Sequence, residues 1–146
     1  MPTAARLVAA LSLAALACLI TPQLQPLLPD GTDFIKVTGV NAGLGIILGW
    51  WLVGTRTGCD FWGRVNNGVS GASALLLLGV LVQGAAKMTD HAYRRLFDDP
   101  FEALASILLF ALDYFLVIAV PHVLITVLLG GVLCGLLTEF AARRWR

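Results

Sequence analysis

This sequence has few charged residues for its length, and that scarcity excludes several classes of protein. Of its 146 residues, 58% are hydrophobic and 13% are charged, with ten Lys and Arg against nine Asp and Glu. A chain this apolar cannot bury most of its apolar side chains in the core of a water-soluble fold. We therefore expect lipid to solvate most of its surface. The formal net charge of +1 leaves no basic field for nucleic acid. The composition therefore indicates an all-α integral membrane protein.

Cysteine and histidine are also scarce, which argues against a disulfide framework or a metal centre. The three cysteines, Cys18, Cys59 and Cys134, are odd in number and form no Cys-x-x-Cys pair. The two histidines, His91 and His122, lack the close spacing of a helix-borne ligand pair. We therefore predict no metal, no cofactor and no enzyme active site. Thiol chemistry remains an alternative only if Cys18 and Cys134 meet and one of them is accessible.

Four apolar runs approach the length of a membrane span: residues 7–24, 37–53, 65–86 and 122–140. About 20 helical residues cross a bilayer core of roughly 30 Å. Arg6 before the first run is typical of a signal peptide, but no Ala-x-Ala site leads into a polar chain, so we predict a retained span. The links at 21–36, 54–64 and 87–102 are expected to reach water or headgroups. We expect one membrane domain over residues 1–146.

Residues 101–120 form a fifth apolar segment whose placement the sequence leaves open. The segment contains Asp113 and runs through Pro121 without a polar turn, so we favour an interfacial or re-entrant helix over a fifth transmembrane helix. The dipeptide at 99–100 is expected to open this helix, with Glu102 in its first turn. Five spans place seven Lys or Arg inside against three, whereas four spans with both termini inside place six against four. The positive-inside rule therefore favours the five-span alternative.

Four polar residues are candidates for a functional site. Asp113 is the single acid deep in an apolar run, where an ionised carboxylate is costly. Asp113 is therefore a proton or cation ligand, or else it faces water at the membrane interface. Lys87, Arg94 and Arg95 form a basic group that would attract an anionic substrate or, as we favour, phospholipid headgroups.

Small residues occur in the spans in the GxxxG pattern, which lets helix backbones approach closely. The predicted helix-packing pairs are Gly39 with Gly43, Gly45 with Gly49, and Gly131 with Gly135. Packing within the chain is the favoured role, and an oligomer face is the alternative.

Polar side chains within or beside the spans are expected to find partners locally or on a neighbouring helix. Glu139 and Arg143 are spaced i to i+4 and are predicted to pair in the last helical turn. Four amides are expected to hydrogen-bond between helices: Asn41, Asn66, Asn67 and Gln83.

Six blocks in order along the chain carry a resemblance to a known family. They are MPTAARLVAA at residues 1–10, LLPDGT at 27–32, VNAG at 40–43, DPFEA at 99–103, LLGGVL at 128–133 and LLTEFAARRW at 136–145. Together these blocks resemble the TrgA family of small bacterial membrane proteins associated with tellurite resistance. The resemblance covers most of the chain, and no block encodes recognised chemistry.

The resemblance implies a non-enzymatic multi-pass protein of the bacterial inner membrane that contributes to tellurite or envelope stress resistance. The arginines at residues 143–146 are expected to hold the C-terminus in the cytoplasm. Membrane lipids are the expected partners, with a homo-oligomer or a larger membrane complex as further partners. The alternative function is a small accessory or assembly subunit of a larger respiratory or photosynthetic membrane complex, which the GxxxG faces would serve.

Overall fold

The computed structural model describes residues 3–24, 33–58, 60–93 and 100–144, and at residues 3, 87–93, 100, 103, 114 and 117 it describes the backbone alone. Every regular element in these residues is a helix. The helices are α1 (Thr3–Leu24), α2 (Phe34–Leu48) with a π-helical continuation (Gly49–Val53), α3 (Phe61–Tyr93), α4 (Pro100–Ile118) and α5 (Pro121–Arg144). The predicted all-α fold is confirmed.

Four of these helices are long and apolar enough to cross a membrane. The candidate spans are Ala4–Leu24, Phe34–Val53, Phe61–Ala86 and Pro121–Arg144. Large apolar side chains face outward along them, such as Leu19 on α1 and Leu129 on α5, which are 64% and 62% exposed. Such a surface requires lipid around it. The structure thus confirms a multi-pass bundle of four transmembrane helices with one further helix.

Helix boundaries depart from the predicted links at three places. Pro22, which falls in the predicted link at 21–36, lies instead in the last turn of α1. The N–H that proline lacks removes only one hydrogen bond near the end of the helix. Residues 61–64 already form the first turn of α3, and residues 87–93 continue its last turns. Helix propagation is cooperative and therefore continues past the point where side chains become polar. One boundary is confirmed, because α4 begins at Pro100 with Glu102 in its first turn.

Helix α1 packs antiparallel to both α2 and α5. Gly45 and Gly49 of α2 lie against Ala14 and Ala10 of α1, so residue numbers rise along one helix as they fall along the other. On the other side of α1, Thr126 Oγ1 of α5 donates to Gln23 Oε1 at 3.2 Å. Gly130 of α5, one turn later, lies against Leu16. The first turn of α1 and the last turn of α5 therefore share one end of the bundle.

The two ends of the bundle differ in composition. The charged end is formed by Arg6, Arg56, Asp60, Arg64, Glu139, Arg143 and Arg144. The cavity end is formed by Leu24, Val37, Gln83 and Ile118, which line a cavity described below.

Helix α4 lies along the C-terminal half of α3. Gly84 of α3 lies against Ile107 and Ala111 of α4, whereas Gly68 of α3 lies against Gly131 of α5. Ile118 at the end of α4 lies beside Leu76 and Val80 of α3, so both α4 and α5 run antiparallel to α3 and in the same direction as each other. A fifth span would reverse direction before α5, so this arrangement does not fit five antiparallel spans.

The break between α4 and α5 is caused by Pro121. Proline has no N–H to donate and disfavours helical backbone at the preceding Val120. The Val120 N–H instead bonds Ile118 O at 2.7 Å, and the Leu124 N–H bonds Val120 O at 3.2 Å as α5 begins. Pro121 thus occupies the first helical position, where its missing N–H costs nothing.

Candidate functional site

The charged end brings together the starts of α1 and α3, the loop after α2 and the last turn of α5. Gly54 lies against Arg6 of α1, and Gly135 of α5 lies against the backbone carbonyl of Arg64 of α3. The residues that meet here are far apart in sequence, so their proximity depends on how the helices pack.

Glu139 is the buried carboxylate of this site, with only 4% of the residue exposed. Its Oε2 accepts a hydrogen bond from the Gly58 N–H at 2.9 Å, and its Oε1 accepts one from Arg143 Nε at 3.0 Å. The predicted pair with Arg143 is confirmed. The Arg143 side chain is 62% exposed, so it stays in contact with the surroundings while its positive charge balances the negative charge of Glu139. Because a buried carboxylate needs such partners, Glu139 fastens the loop after α2 to α5.

Gly58 adopts a backbone conformation that its loop needs and that other residues rarely adopt. Its φ is +90°, in the left-handed region that favours glycine. A side chain would have open space there, so the requirement for glycine comes from the backbone. The sequence marks Gly58 as a turn residue but gives no sign that its partner is Glu139.

Asn67 is the second buried polar residue of the charged end, with 7% of the residue exposed. Its Nδ2 donates to Val53 O at 2.9 Å and to Arg56 O at 3.1 Å. The last carbonyls of a helix have no N–H partner within that helix. The Asn67 Nδ2 is a donor for one of them, the carbonyl of Val53 at the end of the π-helical turn. The predicted hydrogen bonding of this amide between chain segments is thereby confirmed.

Backbone contacts between helices surround these polar groups. A Cβ on Gly68 would overlap the carbonyl oxygen of Gly131, and a Cβ on Gly135 would overlap that of Arg64. A Cβ on Gly49 would overlap a carbonyl of α1. Any side chain at these positions would push two helices apart, which is the close approach that small residues permit. Gly68 belongs to no predicted GxxxG pair, and its importance depends on how α3 and α5 are placed.

Arginine outnumbers acid at the charged end. Its described charged residues are Arg6, Arg56, Arg64, Arg143 and Arg144 on the basic side and Asp60 and Glu139 on the acidic side. The Nε of Arg6 is buried without a hydrogen-bond partner. Trp51 and Trp62 beside them are 78% and 80% exposed, as is typical of residues at a membrane interface. Such a surface suits anionic lipid headgroups.

The polar residues singled out by the sequence lie elsewhere. Asp113 is exposed on α4, which fits an acid that faces its surroundings at the interface. Lys87 is in the last turns of α3, where the backbone alone is described, and Arg94 and Arg95 lie outside the described residues. Among the described residues the buried acid is Glu139, which the sequence predicts to pair with Arg143 in the last turn of a helix.

Two predicted packing residues, Gly39 and Gly43, contact no other helix. A Cβ at either position would meet nothing within 4 Å, unlike one at Gly45 or Gly131. The favoured prediction of packing within the chain therefore gains no support for this pair from the described helices, and an oligomer face stays the alternative. Only 17% of the most apolar window of α2 is buried, against 33% to 39% in the other three spans.

The cavity end contains a small apolar cavity of about 50 Å³ that opens to the surroundings. Aliphatic side chains such as Ile20 and Val80 form most of its wall, and Asn41 and Gln83 are the polar residues that line it. Asn41 Nδ2 donates to Thr21 Oγ1 at 3.4 Å, a long bond between α2 and α1. Asn41 Oδ1 is buried and has no hydrogen-bond partner.

The remaining candidate ligands and nucleophiles are dispersed. Cys18 is exposed on α1 and Cys134 is buried on α5, and both are free thiols, so thiol chemistry between them gains no support. His122 is exposed at the start of α5. Within the described ranges, no three His, Cys, Asp or Glu side chains are grouped so as to hold a metal ion.

Comparisons with protein-family models, with curated proteins and with solved structures find no match to this chain.

Proposed function

We propose that this chain is a non-enzymatic protein of the bacterial inner membrane, of the TrgA type, which contributes to resistance to tellurite or to envelope stress. The support is the resemblance of six sequence blocks, together with the position that two of these blocks occupy in the fold. The block at 136–145 supplies Glu139 and Arg143, and the block at 1–10 supplies Arg6. Residues that carry the resemblance therefore build the charged end.

A structural role for the charged end supports a non-enzymatic function. Glu139 accepts from the Gly58 N–H and from Arg143, and Asn67 donates to two backbone carbonyls, so both side chains use these hydrogen bonds within this chain. A catalytic acid or base must instead reach a substrate. The observation that carries the proposal is this fastening of the α2–α3 loop to α5 by the block at 136–145.

The positions of the basic residues favour a cytoplasmic charged end. Five arginines of the described chain lie there, and Arg146 comes two residues after the end of α5 in sequence. Lys36 and Lys87 lie toward the cavity end, followed in sequence by Arg94 and Arg95. By the positive-inside rule both termini would face the cytoplasm.

Growth of a deletion strain tests the proposed function. Deleting the gene from its native bacterium should lower the tolerated tellurite concentration, and the wild-type gene should restore it. Glu139→Ala should restore it only partly, whereas Leu129→Ala, at an outward-facing side chain, should restore it fully. Parallel growth with a membrane-active detergent separates a tellurite effect from an envelope effect. Unchanged growth under both stresses would contradict the proposal.

A second function, as an accessory subunit of a larger membrane complex, is favoured by the open face of Gly39 and Gly43. Small residues that meet no helix of their own chain are suited to contact a helix of another. Purification from native membranes in mild detergent, followed by mass spectrometry, tests this function. Respiratory or photosynthetic subunits in fixed ratio would support it, and elution of the chain alone would oppose it.

A further inference from the structure

We propose that the charged end binds an anionic phospholipid whose phosphate is held by the guanidinium of Arg6. Such a site requires only that the bundle lies in a membrane, and it does not depend on a role in tellurite or envelope stress resistance. It differs from a general attraction between basic residues and headgroups, because one side chain makes the central contact. Three features of the structure support it: the missing counter-charge of Arg6, its level in the membrane and the excess of arginine around it.

The Arg6 guanidinium is a permanent positive charge without a partner in the described part of the chain. No described carboxylate forms an ion pair with it, and its Nε is buried without a hydrogen-bond partner. Gly54 of the loop after α2 lies against Cα and Cγ of Arg6 and covers the base of the side chain. The residue as a whole is partly exposed, and its terminal nitrogens Nη1 and Nη2 are not buried in the way that Nε is.

A partly buried guanidinium is stabilised by an anion, because arginine cannot lose its proton and a charge away from water needs a counter-charge. A phosphate oxygen need only reach Nη1 and Nη2, which lie beyond the covered base of the side chain. A phosphodiester has two such oxygens, and these match the paired donors of a guanidinium.

Arg6 lies at the level of the lipid headgroups. It is within one helical turn of the start of the first span, Ala4–Leu24. Gly49 and Gly54 both contact the first turns of α1, so Trp51, which lies between them in sequence, is near the level of Arg6. Trp51 is 78% exposed, and exposed tryptophans of membrane proteins are typical of the headgroup region. A phosphate of the adjacent leaflet therefore reaches Arg6 without leaving the membrane.

The surrounding charges favour an anionic lipid over a zwitterionic one. With five arginines against Asp60 and Glu139, the described part of the charged end has an excess of three positive charges. The two oxygens of Glu139 already accept hydrogen bonds from the Gly58 N–H and from Arg143. A zwitterionic lipid brings a positive group together with its phosphate, whereas phosphatidylglycerol brings a net negative charge to this end.

Native mass spectrometry of the full chain tests the site without any variant. The protein, freed of native lipid in mild detergent, is mixed with equal amounts of phosphatidylglycerol and phosphatidylethanolamine that have the same acyl chains, and the retained lipids are counted. Phosphatidylglycerol should be retained at concentrations about fivefold lower than phosphatidylethanolamine requires, the effect of one favourable charge at a membrane surface. Equal retention of the two lipids would overturn the proposal.

Variants assign the contact to Arg6. Arg6→Gln should reduce the retention of phosphatidylglycerol to about that of phosphatidylethanolamine. Arg144→Gln is the matched control, because it removes the same charge from an exposed residue of the same end, and it should keep most of the preference. Equal losses in the two variants would show a diffuse attraction and overturn the site.

Arg6→Lys keeps the charge but loses the paired donors, so it should weaken the retention of phosphatidylglycerol less than Arg6→Gln does. If Arg6→Gln elutes as an aggregate, Arg6→Lys decides between the two results. Retention equal to that of the wild type would then contradict the contact.

Competition distinguishes a lipid from a free anion. Inorganic phosphate at millimolar concentration should not displace phosphatidylglycerol, because it has no acyl chains to pack against the apolar surface of the bundle. Displacement by inorganic phosphate would assign the site to a soluble anion and overturn the lipid proposal.

Discussion

The two ends of this bundle use the same helices in opposite ways. At the charged end, helix backbones touch through Gly68, Gly131 and Gly135, and the buried polar groups bond to backbone atoms. At the cavity end, aliphatic side chains hold α1, α2 and α3 apart around a cavity. Backbone contact fixes a short distance between two helices, whereas aliphatic side chains leave a gap between them. The charged end is therefore the more closely packed of the two ends.

Two asparagines make the comparison concrete. Asn67 at the charged end makes two bonds from Nδ2, at 2.9 and 3.1 Å, to the carbonyls of Val53 and Arg56. Asn41 at the cavity end makes one bond from Nδ2, at 3.4 Å, to a hydroxyl that already donates to Ala17 O. Each has a buried Oδ1 without a partner. The fold therefore depends on Asn67 more than on Asn41.

The largest effect is expected from Gly68→Leu. Its side chain would overlap the backbone of α5 and force the two helices apart, so we expect a loss of about 3 kcal/mol or more in the free energy of unfolding. Unfolding by SDS titration, followed by circular dichroism, measures it. Gly43→Leu is the control, with an expected change within about 0.5 kcal/mol. Equal effects of the two variants would contradict the α3–α5 contact.

A smaller loss is expected from Glu139→Ala. The change removes the acceptor of the Gly58 N–H and the partner of Arg143, and should lower the free energy of unfolding by about 2 kcal/mol. Glu139→Gln keeps an oxygen for Gly58 and should cost less. Amide hydrogen exchange of residues 54–58 should quicken in Glu139→Ala before global unfolding. Unchanged exchange there would show that the loop is held by other contacts.

Asn67→Leu should lower the free energy of unfolding by about 1–2 kcal/mol. The substitution keeps the volume but removes the Nδ2 donor that the carbonyls of Val53 and Arg56 share. The same unfolding titration measures the loss. Asn67→Asp, which retains the shape and removes the donor, should give a loss of at least the same size.

The smallest effect is expected from Asn41→Leu, within about 0.5 kcal/mol. Replacing a poorly bonded amide by an apolar group of similar shape is close to neutral, since little is lost and a buried unpaired oxygen is removed. A loss as large as that of Asn67→Leu would erase the distinction between the two ends.

The sequence by itself determined the composition of the spans and several local features. Four apolar runs, the break at Pro121 and the pair of Glu139 with Arg143 follow from length, missing N–H groups and i to i+4 spacing, all of which are local. These features need no knowledge of neighbouring helices.

Only the tertiary structure decided which face of each helix meets which neighbour. A span is apolar toward lipid and apolar toward protein, so its pattern does not distinguish the two sides. This is why Gly39 and Gly43 are open while Gly68 is packed, and why Gly58 is found to bond Glu139. The direction of α4, parallel to α5 and along α3, was likewise set by packing and chain connection. The cavity in front of Asn41 exists because three helices and the end of α4 meet there.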